Sequence, residues 1–95
     1  MIKPTVGRVI QYWPHVSWIG RVLSPAQPFK ADVVFVHEDG RINVAGFDHM
    51  GKAFADEGIE IWDGEGVKPA SAHAQWMPYQ KAVAAGEIPA VKHAT

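Results

Sequence analysis

Residues 29–54 read FKADVVFVHEDGRINVAGFDHMGKAF, and their pattern decides the fold class. β-Branched and aromatic residues fill 33–36 and make up half of 42–47, as suits strands. Asp39-Gly40 between them is the dipeptide that two-residue hairpin turns prefer. With that turn, Glu38 faces Arg41, Val36 faces Asn43, Val34 faces Ala45, Asp32 faces Phe47 and Lys30 faces His49. The opposite surface pairs His37 with Ile42, Phe35 with Val44 and Val33 with Gly46. Side chains alternate across a sheet, so these are two distinct faces. Val33, Phe35, Ile42 and Val44 are expected in the core, and Arg41, Asn43, Phe47 and His49 on the other face. A three-residue loop with a bulge at Gly40 would shift one strand by one position. Asp48-His49-Met50-Gly51 forms a second turn, with Asp at its first position and Gly at the left-handed closing position.

Working outward, residues 5–13 (TVGRVIQYW) read as a strand that stops at Pro14. Residues 13–28 are punctuated by Pro14, Gly20, Pro25 and Pro28. Within them, 18–23 is either a short strand or part of a packed connecting loop. Residues 52–55 return as a third strand of the hairpin run, broken by Asp56-Glu57-Gly58, and 59–62 form a further short strand. Residues 65–74 read as loop. Residues 78–85 form two turns of helix with Gly86 as the stop, and Trp76 and Tyr79 are placed to cover an open edge or face. The expected fold is mainly β, a β-dominated α+β arrangement. Its form is a small antiparallel sheet or SH3-like barrel of about five strands with a short C-terminal helix.

The chain has 95 residues, which fits a single domain over 1–95, with an ordered core at 4–80 and a flexible tail at 87–95. Apolar residues make up 47% and charged residues 20%, a globular composition. So short a chain buries a modest core, which favours a homo-oligomer. Nine basic against ten acidic residues disfavour general nucleic-acid binding, which needs a basic excess. With no cysteine, disulfides and cysteine-based zinc sites are excluded. No signal-like segment and no apolar run long enough for a bilayer is visible, so a cytoplasmic location without membrane contact is expected.

No histidine spacing marks a metal site, no serine sits in a nucleophile motif, and no glycine loop cradles phosphate. A binding protein that is not an enzyme, with no cofactor and no metal, is therefore expected. Arg41 offers a forked donor for phosphate, Asn43 and His49 offer hydrogen bonds, and Phe29, Phe47 or Trp18 offers a stacking face. A half-exposed sheet surface with no ligand fits the same residues.

The chain from Pro4-Thr5-Val6-Gly7-Arg8-Val9 to Trp76-Met77-Pro78-Tyr79-Gln80 resembles a set of small proteins encoded by tailed phages and prophages. The segments 29–36 and 42–48 also resemble the central hairpin of phage anti-Thoeris sponge proteins, with Phe29, Asn43, Phe47 and Asp48 as the matching positions. This chain carries Lys30 where that family has proline, and its second turn is expanded to 48–51. The resemblance implies a β-sheet homo-oligomer in the cytoplasm of an infected bacterium. It would sequester a nucleotide-derived immune signal, of the cyclic ADP-ribose type or a cyclic oligonucleotide, and so counteract host defence. The alternative is a protein–protein module that inhibits a host defence protein or belongs to the virion. Its contact surface would be the 13–18 loop or the 76–79 cluster.

Overall fold

The computed structural model describes residues 2–64 and 66–84. Five strands, β1 (Val9–Trp13), β2 (Phe29–Val36), β3 (Ile42–Phe47), β4 (Ala53–Ile61) and β5 (His73–Gln75), close into a small barrel. One helix, α1 (Pro78–Ala84), follows. The mainly β expectation holds. Closure comes from β5, which pairs antiparallel with β1 and parallel with β4. The sheet is therefore not wholly antiparallel, and 65–74, read as loop, ends in a strand. Three residues carry too little periodicity to announce a strand. The helix stop at Gly86 and the proposed tail lie outside the described residues.

The hairpin takes the three-residue loop. His37 N–H donates to the Arg41 carbonyl at 2.8 Å, and Gly40 N–H to the His37 carbonyl at 3.0 Å. Gly40 sits at φ +91°, in the left-handed region where Cβ sterics favour glycine. Val36 therefore pairs with Ile42 and Phe35 with Asn43, and an irregularity between Val33 and Phe35 sets Val33 opposite Val44, where Gly46 was expected. The consequence falls on Phe35. Expected in the core, it is 52% exposed, while Val33, Ile42 and Val44 are buried as expected. Val36, partly buried, packs against the core in its place.

The break at 56–58 is a bulge inside one continuous strand. Val44 pairs with Asp56 but Ile42 with Ile59, so β4 carries one extra residue. Asn43 fills the irregularity: its Oδ1 accepts from Gly58 N–H at 2.9 Å and from His37 Nε2 at 2.7 Å. Residues 5–8 precede β1 as a turn, with Gly7 N–H donating to the Val33 carbonyl. Residues 16–21 are a 3-10 helix rather than a strand, with His15 Nδ1 accepting from Ser17 N–H at its start.

The barrel interior holds Ile10, Tyr12, Phe29, Ala31, Val33, Ile42, Val44, Phe54, Ile59, Ala74 and Trp76. Burial of this apolar surface, at roughly 25 cal/mol per Å2, is the main stabilising term. Trp76 covers the barrel as expected, but Tyr79 remains exposed.

At one end, Asp48 organises the second turn. Its Oδ1 accepts from Met50 and Lys52 N–H, both at 2.9 Å, and its Oδ2 lies 2.7 Å from Arg21 Nε. The Arg21 guanidinium holds the Asp48 carboxyl below the usual carboxylate range, and the two backbone donors add to this while burial opposes it. A depressed folded-state value stabilises the fold above the unfolded pKa of about 4 and loses that stabilisation as pH falls through and below it. Asp48→Asn is expected to be less stable at neutral pH and to show a flatter acid limb. Melting curves between neutrality and pH 3 check this, and parallel acid limbs would exclude it.

Candidate functional site

The six residues singled out from sequence do not converge. Phe29 is 1% exposed, in edge contact with His49 and near Tyr12, Trp18 and Phe54. A ring inside the barrel offers no face to a ligand, so its place is the core. Trp18 packs from the 3-10 helix across the end of the barrel, with Tyr12 and Phe54 within 6 Å and the Arg21 guanidinium over its ring at 5.1 Å. His49 is occupied as a strut. Its Nδ1 accepts from Leu23 N–H at 3.0 Å, and its Nε2 donates to the Pro28 carbonyl at 3.2 Å. Asn43 is committed to the β4 bulge.

Phe47 remains accessible at 60% exposure, opposite Lys30 on the outer surface. Arg41 also remains accessible, bonded through its backbone N–H to Asp39 Oδ1 at 3.0 Å. The two lie six residues apart, about 20 Å along an extended strand, too far for one small ligand to touch both. The expected Arg41/Asn43/Phe47/His49 face is thus distributed along the barrel and over both its ends.

Sequence reasoning missed a groove at the Arg41 end, of about 930 Å3. The 39–41 loop, the end of β4 and α1 form its walls, with Arg41, Glu60, Trp62, Asp63, Val67 and Lys81 among its lining. Lys81 is held there by a 3.0 Å bond from Nζ to the Asp63 carbonyl. Trp62 extends the β4–β5 pairing through a bond from its N–H to the Ala74 carbonyl at 2.8 Å, and its ring meets His73 edge-on. The size lies in the range of small-molecule sites. Among the described lining, the two cations Arg41 and Lys81, the three carboxylates Asp39, Glu60 and Asp63, and the Trp62 indole can pair with anionic groups, accept from hydroxyls and flank a flat ring. Of the six expected residues, Arg41 alone lines this groove. No local signal marks it, because its residues come from positions 2 to 84.

Among the described residues no three histidine, aspartate or glutamate side chains gather as a metal set. None of the described helices is long and apolar enough to cross a membrane. Comparison with protein-family models, curated proteins and solved structures finds no match for this chain.

Proposed function

We propose that this protein is a binding module that captures a nucleotide-derived small molecule in the groove beside α1 and holds it without converting it. The observation that carries this reading is the groove itself, of about 930 Å3, with Trp62 in its wall and Arg41 and Lys81 as cations. Carboxylates such as Glu60 suit ribose hydroxyls, and a guanidinium suits phosphate oxygens. The hairpin resemblance adds the ligand class, a cyclic ADP-ribose-type or cyclic oligonucleotide immune signal sequestered during phage infection. The groove is open, so a second copy of the chain closing over it would raise affinity, in keeping with a homo-oligomer.

Calorimetry and native mass spectrometry against cyclic di- and trinucleotides and cyclic ADP-ribose isomers test the reading. Binding at roughly micromolar Kd or tighter is expected, weakened about tenfold by Arg41→Ala, with intact ligand released on heating. No binding across the panel, or release of a degraded ligand, would remove it.

A second reading has its own observation. Val16 and Ile19, three residues apart on the 3-10 helix, are each 82% exposed, and Leu23 follows with most of its surface open. Exposed aliphatics so close in sequence fit a protein contact, such as a host defence protein. Trp18 is unsuited to testing this, because its removal would open the end of the barrel. Ile19→Asp leaves the core untouched. Loss of a captured host partner with Ile19→Asp, together with no small-molecule affinity, would favour this second reading.

A further inference from the structure

A second concavity adjoins the groove, about 460 Å3 in size, between the N-terminal segment and α1. Lys3, Thr5, Arg8, Tyr79 and Gln80 supply its polar lining. Its described lining holds two cations and no carboxylate, whereas the adjoining groove carries Asp39, Glu60 and Asp63 against Arg41 and Lys81. In a chain of formal net charge −1, this is a local concentration of positive charge.

The walls are preorganised. Arg8 Nε donates to Thr5 Oγ1 at 3.2 Å, and its guanidinium lies 5.7 Å from the centre of the Trp76 ring. These two contacts restrain the exposed guanidinium and leave its terminal nitrogens without an acidic partner among the described residues. A planar guanidinium so held matches two oxygens of a phosphate, and Lys3 adds a second charge. The Thr5 hydroxyl accepts from Arg8 and keeps its own hydrogen to donate, and the Tyr79 hydroxyl is a further donor. Gln80 acts as a positioning residue. Its Nε2 donates to the Val9 carbonyl and its Oε1 accepts from Met77 N–H, both at 2.9 Å, which fastens α1 to β1.

We infer that this cleft is an anion subsite, in which Arg8 and Lys3 take the phosphate of a phosphorylated ligand. The two concavities share Ile2 and Ala84, so a ligand with its ring and sugar in the larger groove can place a phosphate against Arg8. The identity of that ligand as a nucleotide rests on the proposed function. The anion subsite does not.

Inorganic pyrophosphate is the probe, titrated at low and at physiological salt and followed by nitrogen-15 NMR. The Arg8 Nε–H and the amides of Lys3, of residues 5–8 and of residues 79–84 are expected to shift saturably, with affinity falling as salt rises. Arg8→Gln weakens binding about tenfold, Arg8→Lys less, because it keeps the charge but loses the fork, and the exposed Lys3→Gln severalfold. Because Arg8→Gln also removes the Trp76 contact, melting curves accompany each variant, and Lys3→Gln gives the same readout away from the core. Shifts centred on Arg41 and Lys81, unchanged affinity in Arg8→Gln and Lys3→Gln, or no saturable shift would overturn the subsite. If pyrophosphate binds at Arg8 while no nucleotide binds more tightly, the subsite stands and the nucleotide reading falls. If nucleotides bind and neither variant weakens them, the subsite falls and the nucleotide reading stands.

Discussion

A Gly46→Ala variant is expected to melt about 12–24 °C below the parent protein or to fail to fold. Gly46 pairs with Ala31 on β2 and with Phe54 on β4. A Cβ built on it would overlap the Lys30 carbonyl oxygen and lie 2.8 Å from Ala31 Cα. Both are backbone atoms, so no side chain can swing aside, and two strands of a closed sheet would have to separate. Overpacking of ~3 kcal/mol, at about 4–8 °C per kcal/mol for a domain of this size, gives the range stated. Gly20→Ala is the control, since an added methyl there meets nothing within 4 Å. Its melting temperature should stay within about 2 °C of the parent. Equal melting of Gly46→Ala and the parent would contradict the β2–β3 register itself.

Tyr12→Phe is expected to cost about 2 kcal/mol at neutral pH, the scale of a hydrogen bond to a charged group. Tyr12 is fully buried on β1, and its hydroxyl donates to Asp56 Oδ2 on β4 at 2.6 Å. The other carboxylate oxygen accepts from Glu57 N–H at 2.8 Å. Phenylalanine preserves the packing against Phe54 and Trp18 but leaves Oδ2 without its donor. A second signature separates the buried hydroxyl from packing alone. Burial first, and the Asp56 bond second, push the Tyr12 phenol well above its ordinary value. The unfolded chain releases that proton above about pH 10 while the folded chain keeps it. Stability contributed by Tyr12 is therefore fully present below pH 10 and declines as pH rises beyond it. The difference in stability between parent and Tyr12→Phe should shrink on the alkaline side, read by denaturant unfolding at stepped pH. A constant difference would place the effect in packing and not in the hydroxyl.

Much of the barrel was legible in local sequence. The runs 29–36 and 42–47 became β2 and β3, and Asp48 to Gly51 became the turn its chemistry announces, with Gly51 N–H donating to the Asp48 carbonyl. The helix at 78–84 followed from its composition. The misplaced Phe35 shows where such reading ends. A bulge reverses every side chain beyond it, and β2 and β4 each carry an irregularity. Asn43, chosen as a ligand contact, instead stabilises one of these irregularities, and His49 ties a loop to a turn. Polar residues on a sheet look alike in sequence whether they serve a ligand or a neighbouring backbone group.

The sequence by itself determined the strand-forming segments, the acid–glycine turns and the mainly β class, because backbone sterics and side-chain-to-backbone bonds act within a few residues. The tertiary structure alone decided the register, the bulges, the closing role of β5 and the meeting of Lys3, Arg8, Arg41, Trp62 and Lys81 around two adjoining concavities. Those depend on which side chains fit together inside a closed barrel, and on which distant residues its closure leaves side by side.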